Sequence, residues 1–189
     1  MPKGATTERV SDVDPGVLER ARAGDHRAFR AVVSHYDRGL RALAFRLLGD
    51  AGHMDDVLQE VYVKAYRGMA GFRGDASAGT WLYRVTYNAC LDHLRRSKRA
   101  DVVPFEGLAE RASADPDPGE RAAVRGSLSD ALSALSPEQR AVVMLVDAEG
   151  FDHASAARIL GVAEGTVHSR LFRAHAILRE RLGRKGGER

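Results

Sequence analysis

The sequence predicts an all-α protein made of two small helical domains joined by a flexible acidic linker. Apolar residues recur at helical spacing through most of the chain, and no stretch shows the alternation of a β-strand. An acidic segment with three prolines interrupts this periodicity. The predicted divisions are a disordered N-terminus over residues 1–14, a first domain over 15–99, the linker over 100–120 and a second domain over 121–189.

Four helices are predicted in the first domain. The first begins near Pro15 and ends before Gly24, in keeping with proline at helix starts and glycine beyond helix ends. The other three cover approximately residues 26–48, 54–69 and 80–98. A glycine-rich loop over residues 71–79 separates the last two, and Phe72 in this loop is either an anchor or a binding group.

The second domain is predicted to contain two helices followed by a helix-turn-helix. One helix covers about residues 121–134. Ser136-Pro137-Glu138 then predicts another helix start, with serine as the cap and proline at the first position, and Gly150 ends that helix.

Residues 152–178 predict two short helices around a turn, in which Gly161 ends the first and Glu164 opens the second. The inward positions of the second helix are Val167, Leu171, Ala174 and Leu178. Its outer face carries His168, Ser169, Phe172 and Arg173. These side chains can contact phosphates, base edges and thymine methyl groups, so the pattern favours a helix that enters the major groove of DNA. A helical hairpin without DNA contacts is the alternative for this stretch alone.

Charge is distributed unevenly along the chain, although the net charge is only +3. Residues 100–120 carry six acids and a single base, Arg111. Residues 79–99 carry five bases against one acid, and residues 165–189 carry seven bases against two acids. Basic zones are typical of nucleic-acid binding.

Two helix faces in the first domain stand out by their residues. Asp56, Gln59 and Glu60 form an acidic and polar patch, which by itself is typical of a solvated helix face. Trp81, Arg84, Tyr87 and Asn88 cluster on one face of the fourth helix and would suit a platform for unpaired bases, whereas an aromatic-rich core is the alternative for Trp81 and Tyr83.

Composition argues against several other classes of protein. There is no apolar run long enough to span a membrane and no secretory signal, and Cys90 is the only cysteine, so a cytoplasmic protein without disulfides is expected. The seven histidines form no known ligand motif. His168 and His175 lie about 10 Å apart along one helix, so neither a metal nor another cofactor is expected.

Three segments occur in a characteristic order. They are DVLQEVYVKAY over residues 56–66, FRG over 72–74 with TWLYR over 80–84 and Asn88, and SPEQR over 136–140 with GTVHSRLFR over 165–173. This order resembles the extracytoplasmic-function (ECF) branch of the sigma-70 family, over about residues 15–182. The resemblance implies a subunit without catalysis of its own, which recognises the −10 and −35 promoter elements for RNA polymerase and assists promoter melting.

The resemblance also implies a role for individual residues. Asp56, Gln59 and Glu60 would bind the β′ coiled coil of core polymerase, and the β flap would be a second polymerase contact. The residues expected at the −10 element are Phe72, Arg73, Trp81, Arg84, Tyr87, Asn88, Arg95, Arg96 and Lys98. Those expected at the −35 element are Glu164, Thr166, His168, Ser169, Arg170, Phe172 and Arg173. Promoter DNA and an anti-sigma factor are the other expected partners.

Two positions depart from the family pattern. Ser155-Ala156-Ala157 stands where Glu-Ile-Ala is usual, and His168 stands where arginine is common. A transcriptional regulator that uses only the helix-turn-helix is the main alternative function, but it leaves the Asp56 face and the Phe72 loop without a role. An enzyme is a weaker alternative, because no phosphate-binding loop, nucleophile motif or metal motif is present.

Overall fold

The computed structural model describes residues 12–100 and 128–186, and these two ranges contain eight helices and one π-helical turn. In chain order the helices are α1 (Pro15–Arg22), α2 (His26–Leu48), α3 (Ala51–Met69), α4 (Ala78–Ala100), α5 (residues 128–133), α6 (Pro137–Val143), α7 (His153–Leu160) and α8 (Glu164–Gly186). Every regular element in these two ranges is helical, which confirms the predicted fold class. The predicted boundaries of α1 and α2 agree with the structure, while α3 and α4 each begin a few residues earlier than predicted.

Several predicted segments lie outside the described residues. They are residues 1–11 of the N-terminal segment, residues 101–120 of the linker and the first part of the helix predicted over 121–134. None of the described helices is long and apolar enough to cross a membrane. Cys90 is completely buried in α4, as predicted for a small core residue, and burial raises the pKa of its thiol to about 12.

The first domain is a bundle in which α2, α3 and α4 pack against one another and α1 packs on α2. The carboxylate of Asp25 caps α2 by accepting hydrogen bonds from the N–H groups of Arg27 and Ala28, and Asp50 caps α3 through the N–H of His53. The interior of the bundle is apolar at helical steps. Its fully buried members include Val32, Leu40, Leu43, Val57, Leu58, Val61, Leu82 and Tyr83.

Helix α6 begins at the serine cap that the sequence predicts, and in the structure this cap is a full capping box with Gln139. Gln139 N–H donates to the Ser136 hydroxyl, and Ser136 N–H donates to the Gln139 side chain. The backbone N–H groups at both ends of the first turn therefore have hydrogen-bond acceptors. Beyond α6 the backbone continues into a π-helical turn, Met144–Ala148, which the sequence does not signal. Gly161 then adopts φ 66°, a left-handed conformation that favours glycine, and this sharp turn directs α8 away from α7.

The two domains pack together through a shared hydrophobic core. Helix α7 packs on α4, and α6 packs on α2. The Tyr83 hydroxyl donates a 2.6 Å hydrogen bond to Glu149, and the Tyr83 ring meets Phe151 edge-on at 4.9 Å. A side chain at Gly39 would collide with both the Tyr83 hydroxyl and the Glu149 carboxylate, so this contact requires glycine on α2.

Arg140 forms a second connection between the domains. Its guanidinium donates to the carbonyl of Arg46 at the end of α2, at 2.6 Å. It also donates to the carbonyls of Leu132, Ser133 and Leu135, so it ties the turn before α6 to the first domain. Burial lowers the pKa of Arg140 from its ordinary value, but several carbonyl acceptors compensate the buried charge.

Candidate nucleic-acid and partner interfaces

The acidic and polar face of α3 is exposed along its whole length. Asp56, Gln59 and Glu60 lie at i, i+3 and i+4 and point to solvent, while the opposite side of the helix is part of the core. Glu60 lies 3.7 Å from Lys64 and 3.8 Å from Arg96, at the distance of loose surface ion pairs. Such pairs contribute about 0–1 kcal/mol, so a partner can replace them at little cost.

A pocket of about 330 Å³ opens where the loop between α3 and α4 meets the start of α4. Such a volume suits a small ligand or a single base. The residues that line it are Gly71, Phe72, Arg73, Gly74, Asp75, Ala76, Thr80, Trp81, Arg84 and Arg158. The lining is aromatic on one side and carries three arginines against one aspartate, so the pocket can accept a flat ring together with an adjacent phosphate.

Phe72 and Trp81 hold the pocket in shape. Phe72 is buried and its ring centroid lies 5.4 Å from that of Trp81. Trp81 is half-buried and packs over Gly68, where an added Cβ would lie 3.1 Å from the indole. Phe72 is therefore the anchor of its loop, and Trp81 presents only part of its ring to a ligand.

The remaining predicted −10 residues on α4 differ in their surroundings. Arg84 and Asn88 are exposed one turn apart on α4. Arg95 lies 3.3 Å from Asp92, and Arg96 faces Glu60. The side chain of Lys98 lies outside the described residues.

Tyr87 is buried, in contrast to its neighbours Arg84 and Asn88. Burial raises the pKa of its hydroxyl, and the nearby positive charge of Arg170 in the second domain opposes that rise. In this arrangement of the domains the Tyr87 ring is therefore not accessible to a base.

Helix α8 presents the outer face that the sequence predicts. His168, Ser169 and Arg173 are exposed, and 72% of Phe172 is accessible to solvent. The inward positions are also confirmed, because Val167 and Ala174 are completely buried and Leu171 and Leu178 are half-buried. An exposed phenylalanine flanked by donors suits contact with the floor and edges of a DNA groove.

Glu164, Thr166 and Arg170 occupy the edge of this face. Glu164 is exposed in the first turn of α8, whereas Thr166 and Arg170 are half-buried. The Ser169 hydroxyl donates to the Thr166 carbonyl, so Ser169 is turned back along the helix rather than outward.

The departure at Ser155-Ala156-Ala157 is accommodated by close packing. Ala156 is completely buried and Ala157 nearly so, where α7 meets both α8 and α4. Ser155 accepts a 3.0 Å hydrogen bond from Arg158, which is the residue that α7 contributes to the pocket of the first domain.

Two groupings of side chains could not be found by sequence reasoning. Arg158 reaches the pocket only because the two domains pack together, and no local pattern records that packing. His153, Glu164 and His168 come together because α7 and α8 pack against each other, and their possible ligand atoms lie within 4.8 Å of one another.

The comparisons with known proteins agree with this architecture. Residues 32–100 match the family model of sigma-70 region 2, and residues 125–178 match that of sigma-70 region 4. The ECF RNA polymerase sigma factor SigM of Mycobacterium tuberculosis (strain H37Rv) is 41% identical over 170 residues, which cover 90% of this chain and 85% of SigM. The chain belongs to the ECF sigma factor family.

Two solved structures are similar to this ECF sigma factor over most of its length, and one of them is a sigma factor by name. RpoE of Bartonella quintana, in complex with the anti-sigma factor NepR, is 27% identical with a TM-score of 0.69, covering 85% of this chain and 98% of RpoE. CnrH, in complex with the cytosolic domain of CnrY, is 26% identical with a TM-score of 0.64, covering 88% of this chain and 95% of CnrH. The protein is thus an RNA polymerase sigma factor, as the resemblance implied, and the relatives it matches are sigma factors rather than enzymes.

Proposed function

We propose that this sigma factor binds core RNA polymerase through α3, holds a flipped base of the −10 element in the pocket beside α4, and reads the −35 element with α8. The pocket is the observation that carries the proposal, because a helix-turn-helix alone would fit any duplex-binding regulator. A cavity with an aromatic wall and the arginines Arg73 and Arg84 of the first domain suits a base that has left the duplex.

The polymerase contact rests on the exposed face of Asp56, Gln59 and Glu60. These residues project from a helix whose other side is locked in the core, so the face is rigid before a partner arrives. Val63, one turn further on, is 45% exposed and adds an apolar contact at the end of the face. A rigid acidic face complements a basic helix pair through charge-assisted hydrogen bonds, as the β′ coiled coil would provide.

The −10 contact rests on the pocket together with the exposed residues of α4. Removing a base from a stack costs a few kcal/mol, which pocket contacts available only to the single strand can offset. Arg84 lines the pocket and Asn88 is exposed one turn further along α4, so both can hold the adjacent nucleic-acid backbone. The −35 contact rests on the outer face of α8, in which Arg173 is the strongest candidate for a base edge because it is exposed beside Phe172.

The packed arrangement of the domains supports a requirement for opening. Arg158 of α7 lines the pocket, and Tyr87 is buried where α4 approaches the second domain. A base can occupy the pocket fully only when α7 withdraws, so polymerase would have to separate the domains as well as fix their spacing on DNA. The free protein should bind promoter DNA poorly for the same reason.

A regulator that keeps the domains together would hold the protein inactive. The similar structures of RpoE and CnrH each contain a second protein, and in the RpoE structure it is an anti-sigma factor. We therefore place an anti-sigma factor among the partners of this chain, together with core polymerase and promoter DNA. Because a sigma factor acts where polymerase is, we place the protein in the cytoplasm.

The proposal is tested by reconstitution with bacterial core polymerase, followed by sequencing of the transcripts made from fragmented genomic DNA. Discrete start sites that core alone does not produce are expected, and failure of the folded protein to bind core would overturn the proposal. The double variant Asp56→Ala/Glu60→Ala should bind core polymerase more weakly while its thermal melt stays near that of the wild type. Asp55→Ala is the matched control, because this neighbouring exposed acid pairs with Arg41 instead.

A further inference from the structure

Two histidines and a glutamate meet at one end of the helix-turn-helix. His153 is the first residue of α7, and Glu164 and His168 lie one turn apart on α8. The rings of His153 and His168 are in contact, with centroids 4.0 Å apart and planes inclined by 62°. Nε2 of His168 lies 3.9 Å from a carboxylate oxygen of Glu164, and one possible ligand atom from each of the three residues falls within 4.8 Å of the others.

This spacing is close to what a single metal ion requires. Ligand atoms at about 2.0–2.2 Å from a tetrahedral zinc ion are separated by roughly 3.4 Å. Atoms that lie within 4.8 Å of one another therefore need to approach by no more than about 1.4 Å. His168 and Glu164 can make that movement because their side chains are 58% and 55% exposed. His153 is half-buried at the helix start, and so offers a more fixed point for the other two.

The neighbouring polar groups do not compete for the same position. The Asp152 carboxylate accepts the N–H of Ser155 at 2.6 Å as the cap of α7, which lowers its pKa and keeps it occupied. Arg158 is directed to the Ser155 hydroxyl. The positive ends of two helices disfavour a cation here, but that effect is limited to the first turn and screened by salt, and the Glu164 carboxylate opposes it.

We propose that His153, Glu164 and His168 form a binding site for a divalent transition-metal ion of the zinc class. Two imidazoles and a carboxylate are a ligand set that zinc accepts with its remaining position open to water, whereas Mg²⁺ prefers oxygen ligands alone. The ion ties the start of α7 to the first two turns of α8. It therefore clamps the two helices of the helix-turn-helix together, in addition to the turn at Gly161 that joins them.

The test uses the full chain without a histidine tag, titrated with Co²⁺ as the spectroscopic probe and then with Zn²⁺ in competition. Visible d–d absorption at one equivalent of Co²⁺ is expected, with displacement by Zn²⁺ and a higher melting temperature in the metal-bound protein. The variants His153→Ala and His168→Ala should each lose at least about 10-fold in affinity. Glu164→Gln preserves the shape of the side chain and should weaken binding without affecting the fold.

Two control variants separate this site from the other histidines. His175→Ala removes a histidine on the same helix that pairs with Asp147, and His53→Ala removes one beside Asp50 and His93. Both should retain the absorption band and the affinity of the wild type. The proposal is overturned if the wild type binds neither metal, if it binds Mg²⁺ equally well, or if affinity depends on His175 or His53 rather than on His153 and His168.

Discussion

The two proposed DNA-reading regions of this sigma factor are built in opposite ways. The walls of the pocket beside α4 belong to the interior of the first domain, since Phe72 is buried and Trp81 packs over Gly68. The reading face of α8 is outside the core, and Phe172 keeps 72% of its surface exposed. The pocket also depends on the second domain, which contributes Arg158, whereas the α8 face is complete within one helix.

This difference follows from the form of DNA that each region would read. A single flipped base must be enclosed, and the walls of an enclosure can be rigid only if they are packed from behind. A duplex must be approached, so the residues that read it have to project beyond the core that holds their helix. The pocket residues therefore contribute both to the stability of the fold and to recognition of DNA. The residues on the α8 face contribute to recognition alone.

The largest effect that distinguishes the two regions is expected from a pair of matched aromatic deletions. Trp81→Ala should lower the free energy of unfolding by about 3 kcal/mol, at the lower end for a buried tryptophan because Trp81 is half-buried. Phe172→Ala should change it by less than about 0.5 kcal/mol, as for other surface positions, while reducing recognition of the −35 element. Urea unfolding of both variants checks the first part, and holoenzyme transcription checks the second. Equal destabilisation by the two substitutions would contradict the proposed difference in construction.

The same difference explains what could be predicted from the sequence. The inward and outward positions of α8 follow from its own periodicity, so Val167 and Phe172 were assigned correctly without knowledge of the rest of the protein. The Ser136 capping box and the turn at Gly161 are equally local. The role of Tyr87 could not be found in this way, because its burial depends on the approach of the second domain.

The contact between the two domains could not be predicted from local sequence patterns. It needs a glycine at position 39, a π-helical turn that places Glu149, and a buried Tyr83, three features separated by more than a hundred residues. Each has an ordinary local interpretation by itself. The linker composition predicted two domains correctly, but nothing in it indicates that their cores join.

Opening the domain contact should affect the pocket and leave the α8 face unchanged. Gly39→Ala places a methyl group against Tyr83 and Glu149, and relief of such overpacking typically costs about 1–3 kcal/mol, partly offset by the helix propensity of alanine. Because Trp81 is the only tryptophan, its fluorescence reports on the pocket directly. We expect stronger quenching by acrylamide and a larger radius of gyration in solution scattering. Tyr83→Phe removes only the hydrogen bond to Glu149 and should give a smaller change. If quenching in Gly39→Ala is the same as in the wild type, the contact between the domains does not close the pocket.

Removing a single donor from the α8 face should affect recognition alone. Arg173→Ala is expected to reduce the preference for the −35 element by about 1–3 kcal/mol, the range for a lost base contact, with the melting temperature unchanged. The measurement is holoenzyme transcription from promoters that differ only in the −35 element. Arg179→Ala, an exposed arginine further along α8 that donates to the His175 carbonyl, should leave the preference among promoters as it is. If Arg173→Ala also leaves it unchanged, Arg173 does not read bases.

The smallest effects are expected at two helix caps, one in each domain, because both domains use an aspartate in the same way to cap a helix. Backbone N–H groups lower the pKa of Asp25, chiefly that of Ala28, and the N–H of Ser155 lowers the pKa of Asp152. Because the pKa of each carboxyl is lower in the folded state, its ionised form stabilises the folded protein. This contribution is complete above the unfolded pKa of about 3.9 and is lost as the pH falls through the lower folded pKa. Asp152→Ala should cost about 0.5 kcal/mol at pH 7, the low end for a cap because the side chain is exposed, and should converge with the wild type in acid. Asp152→Asn keeps a hydrogen-bond acceptor but no titrating carboxyl, so most of the stability should remain while its pH dependence disappears.

The same cap variants test whether the two domains unfold together. Because the domains share a core, Asp25→Ala and Asp152→Ala should each shift the same single unfolding transition. Two separable transitions would show that the domains unfold independently.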